Sequence, residues 1–219
     1  MEKNAEPLPI MNVRKIKNVN LKGGVVFDGF QSLGLTNTIA CGCFVNSLQT
    51  DLVAIIDSPI FPAISIIYNS TPNFPVRIYA HEEKKLAFFV SELTLDPIIH
   101  RTLADTLLDW TLEQQCDTII SIVGRPIEDP AEYNKDQSLH VVTNTKEGIR
   151  KLQTTNIKFL NNGTVSGIPG LLLNEGIWKN ITVIVFVIDV ISGVPDFRGA
   201  ATVAEVIGKI IPGAYCDTA

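Results

Sequence analysis

The runs TIISIVG (Thr118–Gly124) and ITVIVFVID (Ile181–Asp189) decide the fold. A strand with one wet face alternates apolar and polar residues, and TIISIVG is too uniform for that. Such a strand is covered on both faces, which requires helices above and below the sheet. Working outward, GGVVFDGF (Gly23–Phe30) reads as a short β-branched strand feeding a tight turn. Leu35, Ile39, Cys43 and Leu48 then recur at near-helical spacing, and small residues at 40–43 would let that helix lie close to its neighbour. DLVAIID (Asp51–Asp57) and ISIIYN (Ile64–Asn69) are predicted strands, and Val76–Glu92 a hairpin turning at His81–Lys85. Asp96-Pro97 is a cap followed by a first-turn proline, and Ile99, Leu103, Leu107 and Trp110 share one face of the helix it opens. Beyond Gly124 come a polar loop (Arg125–Gln137), a strand at LHVVTN and helices at Glu147–Leu152 and Ile168–Trp178. The second apolar run and a closing helix, Gly199–Ile210, follow. Strands alternating with helices give α/β with a largely parallel or mixed central sheet.

The composition fits a packed domain. Of 219 residues 46% are apolar and only 7% aromatic, which excludes disorder. Residues 1–20 read as a polar arm leading into a first strand, MNVRKI (Met11–Ile16), and 21–219 as a single α/β domain. With 18 Lys+Arg against 23 Asp+Glu, the net charge is −5, and no basic run is present. Nucleic acid and anionic membrane are therefore not expected partners. No apolar stretch approaches membrane length, and the acidic, proline-bearing N-terminus is unlike a signal peptide, so a cytoplasmic location is expected. Cys41, Cys43, Cys116 and Cys216 fit neither a redox nor a zinc spacing and read as small buried thiols.

Chemistry-bearing motifs are sparse. GFQSLGLTN (Gly29–Asn37) occupies the place of a dinucleotide turn but lacks its glycine order, so it either reverses the chain or captures an anion at the helix start. No lysine follows a glycine-rich loop, no G-x-S-x-G elbow exists, and no two of the three histidines have metal-ligand spacing. No cofactor and no metal are expected. Ser121 reads as a strand serine tied to the backbone. The suggestive polar groups are those at strand ends, where open α/β sheets bind ligands. Gly29, Ser58, Arg77, Glu92, Arg125 and Glu128 form this candidate rim. Arg77 and Glu92 lie on two arms of one hairpin and can pair, with Glu128 an alternative partner for either arginine.

Several stretches together resemble the archaeal branch of the proteasome-assembly-chaperone family. They are GFQSLGLTNTIA, DLVAIIDSPIFPAISIIYNSTPNFPVRIY, LAFFVSELTL, LLDW to CDTIISIVGRP, NGTVSGIPGLLLNEG and PDFRGAATVAEVI, spanning roughly residues 22–210. The resemblance implies a phosphorylase/hydrolase-like α/β fold, a twisted mixed sheet between helices. It also implies an ATP-independent binding protein, homo-oligomeric, with proteasome subunits or unfolded proteins as partners, and no catalytic residues. An older view of such proteins as ATP-grasp ligases finds no nucleotide loop here. The family's ring-docking tail is a terminal hydrophobic-Tyr-X, whereas Ala214-Tyr215-Cys216 is followed by three more residues. Similar sequences continue into a further helix, so this chain reads as short or cut. The rival reading is a hydrolase or nucleoside-phosphorylase-like enzyme with its site at the strand-end rim.

Overall fold

A computed structural model describes residues 11–127, 138–153 and 155–217. Its main sheet has nine strands among the described residues, in the order β1-β3-β6-β7-β2-β8-β11-β9-β10. They are β1 (Asn12–Lys15), β2 (Val25–Gly29), β3 (Asp51–Asp57), β6 (Val76–His81), β7 (Leu86–Ser91), β8 (Thr118–Pro126), β9 (Leu139–Thr143), β10 (Lys158–Phe159) and β11 (Thr182–Val190). A separate two-stranded hairpin, β4 (Ile66–Tyr68) with β5 (Thr71–Asn73), lies outside it. Strands β7, β2, β8 and β11 run parallel in the centre, while β1, β3, β6 and β9 pair antiparallel around them. The sheet is therefore mixed and flanked by helices, as the sequence implied.

The two decisive runs are neighbours. β8 and β11 pair from Thr118↔Thr182 to Pro126↔Val190. Along β11, Val183, Val185 and Val187 enter one core, and Ile184, Phe186 and Ile188 enter the other. Helices α2 (His100–Glu113) and α4 (Gly167–Lys179) cover the first face. Helices α1 (Thr36–Ser47) and α5 (Phe197–Ile210) cover the second, joined by Leu152 of α3 (Lys146–Leu152). Neither face of the strand is left for water, which is why the run does not alternate.

Local signals behave as their chemistry requires. The Asp96 side chain accepts the Ile98 N–H at 2.9 Å, and Ile99, Leu103, Leu107 and Trp110 are all buried. Thr145 and Asp196 cap α3 and α5 through the amides of Gly148 and Gly199. Of the expected stripe Leu35, Ile39, Cys43 and Leu48, only Leu48, just past the end of α1, is buried, and the other three are half-buried. The covered side is Asn37, Ala40, Cys41 and Phe44. A Cβ on Gly29 would lie 2.8 Å from that of Cys41, so Ala40 and Cys41 bring the helix close to β2 and Phe44 enters the core beside them. Strand β4 is shorter than ISIIYN and pairs only with β5.

The cysteines correct the expectation of four buried thiols. Cys41 and Cys116 are free and buried, but Cys43 and Cys216 form a disulfide, with Cα atoms 5.4 Å apart. Sequence spacing could not show this, because the partners are separated by 173 residues and meet only where the tail crosses α1. Asp217 N–H donates to Ser47 Oγ at 2.9 Å beside the bridge. Burial raises the Cys41 thiol well above its ordinary value, with Asp28 adding to it, and burial pushes Cys116 up to about 12, so neither is a reactive thiolate.

Candidate functional site

Because β3, β7, β2, β8 and β11 all run the same way, their C-terminal ends share one edge of the sheet. The chain leaves β2 for α1 on one face and β7 for α2 on the other, so a switch point falls between these two parallel strands. Two cavities open along this edge.

The first holds the expected Arg77–Glu92 pair. Arg77 starts β6, Glu92 follows β7, and the guanidinium reaches Glu92 Oε1 while donating to the Phe74 carbonyl at 3.1 Å. Its charge lies between the rings of Tyr68 and Tyr79, 5.9 and 5.8 Å from their centroids. Burial raises the Tyr79 hydroxyl above its ordinary value, partly offset by the Arg77 charge. Arg77 is 3% exposed, and Nε of Arg77 and Oε2 of Glu92 have no hydrogen-bond partner among the described residues. With Asn46 of α1 and Gln49 just beyond it, these groups line about 340 Å³. The guanidinium is thus held by the protein through its two terminal nitrogens.

The second cavity, about 400 Å³, lies on the α2–α4 face. Its wall includes Asp28 and Asn37, the loop Phe30–Leu33, Thr94 and Leu95, the end of β8, His100 at the start of α2 and the first turn of α4. Asp28 is 1% exposed. Its Oδ2 accepts from Ser121 Oγ at 2.7 Å and its Oδ1 from the Phe30 amide at 3.1 Å. Burial nevertheless pushes its carboxyl up to about 6, against the lowering effect of both donors. Asn37 spends both ends of its amide, donating to the Phe30 carbonyl at 3.0 Å and accepting from Ile122 N–H at 3.2 Å.

The remaining rim residues separate. Gly29 is a packing glycine, since a Cβ there would lie 2.2 Å from the Phe89 carbonyl oxygen. The turn after it reverses the chain, with Gly34 at φ +72° against Val190 and Leu35 at φ +52°. Ser58 is buried past β3, where its carbonyl accepts from Phe61 N–H at 3.1 Å. Arg125 pairs with Asp189 on the neighbouring strand at 2.6 Å, and that bond raises it above its ordinary value. Glu128 lies outside the described residues. Sequence reasoning placed the rim at the strand ends, where Arg77 and Glu92 meet, but did not single out Asp28, Asn37 and His100. The signal for Asp28 was present, an acid inside the otherwise apolar VVFDG. Ser121, expected to bond backbone, donates to that acid instead.

The sequence profile of the PAC2 family matches residues 26–219, and the chain belongs to that family. The assembly-chaperone resemblance is thereby borne out. Among solved structures, Pyrococcus furiosus PbaA, described as an archaeal homolog of proteasome-assembly chaperone, superposes with a TM-score of 0.85 at 22% identity. That match covers 95% of this chain and 88% of PbaA. Pyrococcus furiosus PbaB, described as an archaeal proteasome activator, gives a TM-score of 0.78 at 18% identity, covering 95% and 91%. A Thermoplasma acidophilum protein of unknown function gives 0.75 at 23% identity, covering 88% and 77%. No curated protein matches the sequence significantly.

Two measurements test these assignments. Arg77→Ala and Glu92→Gln should each lower the melting midpoint by several degrees, because each leaves a partner unpaired at about 1–3 kcal/mol, and each kcal/mol moves a domain of this size roughly 2–4 °C. Unchanged or raised midpoints would mean the pair is not structural. For Asp28, the folded pKa of about 6 lies above the ordinary 3.8, so ionisation costs more in the folded state than in the unfolded one. Stability from this group is complete below the ordinary value and is lost as pH rises through about 6. A shift of about 2 units is about 3 kcal/mol. The midpoint of Asp28→Asn relative to the parent should therefore rise between pH 4 and pH 7, by roughly 6–12 °C. Parallel profiles would contradict the assignment.

Proposed function

We propose that this chain is an ATP-independent, homo-oligomeric binding protein that acts in proteasome assembly in the cytoplasm, through apolar surface rather than a reaction centre. The observation that carries this reading is the segment between β3 and β6. Ile60, Ile64, Ile67, Tyr68 and Phe74 within it are 45–63% exposed, and its hairpin joins neither edge of the main sheet. Five large apolar residues held in water on one short segment are a cost unless something covers them. Membership of the PAC2 family and likeness to PbaA and PbaB support proteasome subunits as what covers them. Among the described residues, no helix is long and apolar enough to cross a membrane.

Mixed with separately purified proteasome subunits from the same organism, the chain should speed formation of the core particle without ATP. Ile64→Asp combined with Ile67→Asp should abolish the effect, while leaving the fold intact because both side chains are exposed. Light scattering should return three to five times the 24.0 kDa chain mass. No acceleration by the parent would refute the assembly role, and a concentration-independent monomer mass would refute the oligomer.

A further inference from the structure

The cavity above Asp28 contains a carboxylate with no lysine or arginine among the described lining residues to pair with it. Two donors, Ser121 Oγ and Phe30 N–H, reach the carboxylate, which can accept about four hydrogen bonds. None of the described residues lining the cavity is a lysine or arginine, and His100 is the other titratable group among them. A buried carboxylate without a counter-cation is costly, and a bound cation removes that cost.

We propose that this cavity binds a small organic amine, its ammonium group against Asp28 and its apolar body along Leu33, Leu95 and Ile168. The volume of about 400 Å³ falls in the range of small-molecule sites and leaves ample room for a body beyond the charged group. The wall mixes these apolar side chains with a few fixed polar groups, the usual make-up of a specific pocket. Phosphates and carboxylates are disfavoured by the acid on the wall. A divalent cation is disfavoured because Asp28 is the single described carboxylate there, and among the described residues no group of three or more His, Cys, Asp or Glu could hold one. The site is independent of the assembly role, being on the α2–α4 face and built from different residues than the apolar segment.

The test is thermal denaturation near neutral pH with phenethylamine and with phenethyl alcohol, which has the same body without the charge. Millimolar phenethylamine should raise the parent midpoint by a few degrees, and the alcohol should not. Asp28→Asn should erase the difference. Thr94→Trp, which fills the exposed mouth and leaves Asp28 in place, should erase it too, and decides the matter if Asp28→Asn does not fold. No shift with the amine, an equal shift with the alcohol, or an undiminished shift in either folded variant would overturn the proposal.

Discussion

β8 and β11 pair in parallel through Thr118–Pro126 and Thr182–Val190, and both strands are buried on both faces. Parallel neighbours cannot be joined by a tight turn, so the chain must cross over the sheet between them. Two-sided burial requires cover above and below, so the helices must divide between α2 with α4 and α1 with α5. The remaining strands fit around this ribbon, with β2 and β7 extending the parallel core and β3, β6 and β9 completing it in antiparallel fashion.

The same constraint positions the chemistry. Parallel strands bring their C-terminal ends to one edge, and loops leaving that edge for opposite faces part from one another and leave cavities. Arg77 and Glu92 meet at this edge because β6 runs against β7, so the start of one strand faces the end of the other. Asp28 faces the α2–α4 side because it follows Val26 and precedes Phe30 on the same face of β2, and Ser121 holds the matching position on β8. A carboxylate in the middle of a sheet is tolerable there only through the hydroxyl and amide that reach it.

What could be read from the sequence divides along physical lines. Period and capping are local, so β3, the β6–β7 hairpin and the α2 stripe were legible residue by residue. The Arg77–Glu92 pair was legible because a hairpin register is nearly local too. The Asp28–Ser121 contact joins residues 93 apart, and the Cys43–Cys216 bridge joins residues 173 apart. Both depend on which strands and helices become neighbours, which pattern alone does not set. Arg125 finding Asp189 is the same lesson, since only the β8–β11 register brings them opposite. The covered side of α1 differs at Leu35, Ile39 and Cys43 because hydrophobicity marks one stripe while close approach to Gly29 selects the side that carries Ala40 and Cys41.

The central claim is that the exposed apolar segment between β3 and β6 is the working surface of this PAC2-family protein. Hydrogen–deuterium exchange of the full chain, alone and mixed with proteasome α subunits from its own organism, tests it most directly. The account predicts new protection concentrated between Ile60 and Phe74, with β8 and β11 slow in both samples. Protection elsewhere on the surface with none in that segment would contradict it.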